Sequence, residues 1–170
     1  MADRDIAFAQ FVTAKGDGLQ RMAYLLCGDW HRAEDLTQVT FTKLYRQWSK
    51  LTDRQALDGY ARKVLVRAFL SERRLGWFRR EHVTAEHEEL LPDRGLAGPE
   101  DRMVLLAALA RVPKGQRTVL VLRYWEDMSV EDTARLLACS EGTVKSQAAR
   151  GLQALRTLLE VTPLSPRRGA

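Results

Sequence analysis

SVEDTARLLACSEGTVKSQAARGLQALR, running from Ser129 to Arg156, is the stretch whose reading decides the fold. Val130, Ala134 and Leu137 recur at helical spacing and give a short first helix one apolar face. Ser129 followed by Asp132 has the form of a capping box that starts a helix. Ala138, Cys139 and Ser140 leave room only for a tight turn, in which Ala138 stands where Gly is usual. Ser140 then suits the N-cap of a second helix, and Glu141 is favoured at its positive end. Val144, Ala148, Leu152 and Leu155 form the buried stripe of that helix, while Thr143, Lys145, Ser146, Gln147 and Arg150 face outward. A plain two-helix hairpin with a solvated face has similar periodicity. Small Ala134, with apolar Val144 ten residues later, favours a helix-turn-helix suited to the major groove of DNA.

The 170 residues suit one medium domain or two small ones. The net charge is +5, and Arg outnumbers Lys by 21 to 6. Guanidinium groups bind phosphate and guanine bidentately, so this balance fits nucleic acid; it fits a GC-rich coding bias equally well. No apolar run reaches the length of a membrane span and the N-terminus lacks signal-peptide architecture, so a cytoplasmic protein without membrane insertion is expected. Cys27 and Cys139 have no paired spacing and read as buried thiols. His82 and His87 lack a third ligand in register, so no metal and no cofactor is assigned.

Outward from the deciding stretch, every segment with periodicity is helical and no strand pattern occurs. From Asp5 to Cys27 the apolar residues include Phe8, Phe11, Leu19, Met22 and Leu26, with a break or bend expected at Lys15–Gly18. A second helix is predicted from about His31 to Trp48, with Ala33, Leu36, Phe41, Leu44 and Trp48 inward and Glu34, Asp35, Gln38 and Thr42 outward. After a turn-rich interval, Ser49–Gly59, a third helix is predicted from Tyr60 to about Arg74. It buries Val64, Leu65, Ala68 and Phe69 and presents Arg62, Lys63, Arg67, Arg73 and Arg74. The run continues through Gly76-Trp77-Phe78-Arg79-Arg80, interleaving cations with aromatics. Single-stranded DNA binding needs that combination. A basic amphipathic helix whose core is closed by Trp77 and Phe78 would look the same, and these residues alone leave both readings open.

Residues 81–98 are acidic and rich in breakers, and read as a linker between two small domains, 1–80 and 99–161. Pro99 opens a helix to Arg111 that buries Leu105, Leu106 and Leu109. Pro113 and Gly115 break it, and a helix over Gln116–Glu126 is expected to pack under the helix-turn-helix. Residues 162–170 read as a disordered tail.

Three blocks in this order, AEDLTQVTF (33–41), YARKVLVRAFLSERR (60–74) and SEGTVKSQAARGLQALR (140–156), resemble the extracytoplasmic-function group of the bacterial sigma-70 family. The resemblance covers nearly the whole chain. It implies an all-α fold of a sigma2-like and a sigma4-like domain, and a protein that is not an enzyme but directs core RNA polymerase to promoters. Its implied partners are the clamp helices of the polymerase's largest subunit, the polymerase flap, promoter DNA and a possible anti-sigma factor, with no small-molecule substrate. Asp35, Gln38 and Thr42 become candidates for polymerase docking. Arg54, Tyr60, Arg62, Lys63, Arg67, Arg74 and Trp77 become candidates for the melted −10 element. Ser140, Thr143, Lys145, Ser146, Gln147 and Arg150 become candidates for the −35 duplex. Four positions in these blocks depart from the family pattern: Val39 stands where an acidic residue is frequent, Tyr60 replaces a usual Trp, Arg67 a usual Asn and Gln147 a frequent Arg. The rival reading is a stand-alone helix-turn-helix regulator that binds duplex DNA as a dimer; a third is an interaction protein that occupies polymerase without initiating.

Overall fold

The computed structural model describes residues 2–53, 55–72 and 98–161, and the chain divides into two compact units, residues 1–80 and 81–170. Helices account for the regular structure of both units, and no strand occurs among the described residues. The proposed linker (apart from Gly98) and the tail lie outside the described residues.

The first unit packs three helices against one another: α1 (Ala2–Cys27), α2 (Trp30–Gln47) and α3 (Leu57–Ser71). A short 3-10 turn, Trp48–Lys50, follows α2. The expected break at Lys15–Gly18 does not occur, because α1 runs unbroken through both glycines. Burial explains this: Leu19, Met22, Ala23, Leu25 and Leu26 are buried beyond Gly18, while Phe8 and Phe11 before it join an aromatic cluster with Phe41, Tyr45 and Trp48. Packing on both sides outweighs the ~1 kcal/mol that a glycine subtracts from a helix. Gly28, at φ 71°, then ends α1 in the left-handed conformation, its N–H donating to the Tyr24 carbonyl at 2.8 Å.

On α2, Ala33, Leu36 and Leu44 are buried as expected, with Phe41, and Trp48 just beyond the helix, half-buried. Thr37 and Thr40 are buried too, each hydroxyl donating to the carbonyl four residues earlier at 2.7 Å. The third helix begins three residues before Tyr60 and ends at Ser71 rather than Arg74. Glu72 turns extended, and its carboxylate receives Arg32 Nη2 at 2.6 Å. At the other end of α3, Lys15 bridges to Asp58 at 2.7 Å.

In the second unit α4 (Pro99–Arg111), α5 (Lys114–Leu120) and α6 (Val130–Leu137) all contact α7 (Glu141–Val161). Leu106 and Leu109 of α4 are buried and Leu105 half-buried. Arg117 closes the α4–α5 corner by donating to the carbonyls of Ala110 and Val112 at 2.8 Å. The helix expected over Gln116–Glu126 starts earlier, at Lys114, and widens into a π-turn at Val121–Trp125. The Glu126 N–H donates to the Val121 carbonyl at 3.0 Å, a five-residue step, and Arg123 Nη1 bonds the Met128 carbonyl.

Cys27 is buried, and burial raises its thiol pKa from 9.0 to about 11. Between those values the unfolded chain loses this proton while the folded chain keeps it, so stability falls as pH rises. Chemical denaturation from pH 8.5 to 11.5 should therefore show the advantage of wild type over Cys27→Ala shrinking by roughly 2 kcal/mol across that window.

Glycine contacts predict opposite outcomes at two helical positions. A Cβ at Gly18 meets nothing within 4 Å, whereas one at Gly151 would lie 3.0 Å from Cγ and Cδ1 of Leu120, which is buried. In thermal melts Gly18→Ala should stabilise by about 0.5–1 kcal/mol. Gly151→Ala should destabilise by about 1–3 kcal/mol through overpacking.

Candidate nucleic-acid interface

The helix-turn-helix is assembled by its caps. The Ser129 hydroxyl accepts from the Asp132 N–H at 2.9 Å and starts α6; the Asp132 carboxylate pairs with Arg135 at 2.9 Å. At the far end Ala138 adopts φ 53°, ψ 46°. The Cys139 N–H donates to the Ala134 carbonyl at 3.0 Å and the Ala138 N–H to that of Arg135 at 3.4 Å, the two bonds of a Schellman motif. Ser140 then receives the Thr143 N–H on its hydroxyl at 3.1 Å and starts α7.

Val119, Ala134, Val144 and Ala148 form the buried centre, with Val130, Leu137 and half-buried Cys139 packed against it. Val144 is wholly buried, and this fixes the rotation of α7. Ser140, Thr143, Lys145, Ser146 and Arg150 are consequently exposed, with Gln147 half-buried at their edge. Lys145 and Arg150 form no ion pair among the described residues, so both cations remain available. The face thus offers hydroxyl, amide and cationic groups beside the partial positive charge of a helix N-terminus.

In the first unit Tyr60, Lys63 and Arg67 fall on one stripe of α3 at i, i+3 and i+7. Tyr60 and Lys63 are half-buried and Arg67 is exposed. Arg62 is not brought to that stripe, since it lies about 200° round the helix from Tyr60. Arg54, Arg74 and Trp77 lie outside the described residues. On α2, Asp35, Gln38 and Thr42 are exposed along a separate stripe together with Val39. The Thr42 hydroxyl donates to its own helix, to the Gln38 carbonyl at 2.9 Å, which leaves it an acceptor toward a partner.

One polar contact of the α3 stripe was not foreseen. The Tyr60 hydroxyl donates to Gln47 Oε1 at 3.1 Å across the α2–α3 connection. No periodic signal pairs residues thirteen apart in sequence across a turn. Among the described residues no group of His, Cys, Asp and Glu could hold a metal ion, and no helix is long and apolar enough to cross a membrane.

The capped corner and the exposed face of α7 define a helix-turn-helix DNA-binding protein. Family models of sigma-70 region 2 and sigma-70 region 4 match residues 11–79 and 102–155. The RNA polymerase sigma-E factor of Streptomyces avermitilis is 35% identical over 166 residues, spanning 95% of this chain and 90% of that one. The ECF RNA polymerase sigma factor SigM of Mycobacterium tuberculosis is 32% identical over 155 residues, spanning 90% of this chain and 77% of that one. The sigma factor RpoE of Bartonella quintana, solved in complex with the anti-sigma factor NepR, has a TM-score of 0.72 at 25% identity, covering 91% of this chain and 98% of that one.

The chain therefore belongs to the sigma-70 family, in its extracytoplasmic-function group. It is a sigma factor, whose two sigma domains bind core RNA polymerase and promoter DNA. The stand-alone regulator leaves the region 2 match unexplained, whereas a sigma factor requires it.

Two substitutions probe the corner. Ala138→Gly relieves a left-handed alanine and should stabilise by about 1 kcal/mol. Thr133, wholly buried in α6, has a hydroxyl without a hydrogen-bond partner among the described residues. Thr133→Val should add about 1 kcal/mol by removing that unpaired group. Thermal melts check both, and duplex DNA affinity should stay unchanged because neither residue is on the outward face of α7.

Proposed function

We propose that α7 reads the −35 element as duplex, that α3 captures the −10 element as melted strand, and that α2 docks on the polymerase clamp helices. The observation that carries the reading is the exposed N-terminal half of α7, where Thr143, Lys145, Ser146 and Arg150 surround a helix start rotated into place by buried Val144. A major groove accepts such a helix end, its side chains reaching base edges and phosphates. Arg67 and Lys63 supply phosphate neutralisation on α3, and Tyr60 supplies a ring for stacking on an unpaired base. Asp35 and Gln38 present a carboxylate and an amide on the free face of α2. The chain performs no bond chemistry; core polymerase does that. Each contact is weak alone and is strengthened when polymerase tethers both units over one promoter. The work takes place in the cytoplasm, where polymerase and DNA are. An anti-sigma factor, such as the partner seen with the Bartonella quintana protein, would act by covering these same faces.

Run-off transcription with purified core polymerase on fragmented genomic DNA tests this reading. Transcripts should start downstream of a shared two-part sequence only when the protein is added. Lys145→Ala should weaken retention of the upstream duplex about tenfold and lower its salt slope by about 1. Arg67→Ala should leave upstream binding intact and reduce strand opening. Tight footprints on dyad-symmetric duplex sites without polymerase, and no polymerase-dependent starts, would overturn it.

A further inference from the structure

We infer that residues 2–18 form a releasable strap: the N-terminal part of α1 lets go of α2 at a weak point, Gly16 to Gly18, and uncovers an aromatic edge. The device belongs to the first unit alone and is independent of what that unit binds.

Burial divides α1 in two. Its buried residues run from Leu19 to Cys27, and none precedes Leu19. The boundary carries two glycines, and neither is there for a steric reason. A Cβ at Gly18 would meet nothing within 4 Å, and one at Gly16 would touch Phe41 Cζ at an ordinary 3.7 Å. Both lie inside the helix, and neither takes a left-handed φ. Glycines that weaken a helix without relieving a clash mark where it yields most easily.

On the N-terminal side of that point the strap is held by partly exposed side chains. Phe8 meets Phe41, Tyr45 and Trp48 edge-on at 6.4, 5.1 and 5.1 Å between ring centroids, and Phe11 packs on Trp48 at 5.3 Å. Arg4 lies 4.6 Å from the centre of the Tyr45 ring and donates to the Tyr45 carbonyl at 2.7 Å. The Tyr45 hydroxyl in turn donates to Asp5 at 2.7 Å. Each contact of this exposed kind is weak alone. The closed latch also buries Arg4 Nε without a hydrogen-bond partner among the described residues, and release hydrates that donor.

These contacts all sit on one helical segment, so they break together. A helix of that length with no packed face is marginal in water, so the released strap melts instead of swinging as a rod. Release bares Phe41, Tyr45 and Trp48, which recur at i, i+4 and i+7 along α2 and its 3-10 extension. The buried side chains from Leu19 to Cys27 meanwhile keep the rest of α1 in place.

Native-state hydrogen exchange on the full chain, in low concentrations of urea, tests the strap. Amides of residues 6–15 should share one exchange rate, at least about tenfold faster than those of residues 22–27. Their rate should also depend less on urea, because release exposes less surface than global unfolding. Phe8→Ala should speed exchange at least about tenfold across the whole of 6–15, including amides that Phe8 does not touch. Arg4→Ala should speed the same amides about threefold. Replacing both glycines, Gly16→Ala with Gly18→Ala, should slow them roughly tenfold without disturbing the fold. A smooth gradient of protection from residue 6 to residue 27, with no step at the glycines, is ordinary end-fraying and overturns the inference. So does an equal rate and urea dependence on both sides of the glycines, or an unchanged rate in the double alanine variant.

Discussion

The left-handed turn at Ala138 is the constraint on which the DNA-reading unit depends. Its backbone reverses direction within three residues, and the two Schellman bonds to Ala134 and Arg135 fix the angle at which α7 leaves α6. With that angle set, Val144 can enter the space between Ala134 and Val119, and its burial sets which side of α7 meets solvent. Every outward residue from Thr143 to Arg150 takes its direction from that one buried valine. A β-carbon in the left-handed region is unfavourable by about 1 kcal/mol, so the corner is maintained by the packing around it.

The first unit meets a similar demand by other means. Its helices are long, and the side chains assigned to partners lie on surfaces that packing does not use: Asp35, Gln38 and Thr42 on α2, Lys63 and Arg67 on α3. What packing uses includes two threonines whose hydroxyls are satisfied within the helix, so each can be buried without an unpaired donor. The ion pairs Lys15–Asp58 and Arg32–Glu72 tie the two ends of α3 to α1 and α2. Both pairs are partly exposed, so their value lies in geometry more than in stabilisation energy. The arrangement leaves the stripe of Tyr60, Lys63 and Arg67 on a helix braced at both ends.

Much of this was legible in the residues. Pro99 to Arg111, Val130 to Leu137 and the caps at Ser129 and Ser140 follow from local chemistry, and the helices stand where that chemistry puts them. Two of the three misreadings share one cause. Glycine at 16 and 18 signals a break locally, but aromatic packing before it and aliphatic burial after it carry α1 through. Basic residues after Ser71 continue a helical pattern, yet Glu72 is drawn to Arg32 and the helix ends. Val121 to Trp125 reads as ordinary α-helix, and the connection to Met128 widens it. At the two glycines and at Glu72 a contact distant in sequence outweighed a local preference, whereas the π-turn is held by contacts five and six residues apart.

The sequence by itself determined the all-helical class, the helix-turn-helix and the residue types on the outward face of its second helix, because apolar periodicity, capping side chains and charge act within a few residues of one another. The tertiary structure alone decided that Gln47 is joined to Tyr60. The reason is physical: which groups share a surface depends on how separate helices are rotated and braced against each other. Those rotations are set by the burial of Val144, Leu65 and Leu36 against helices other than their own.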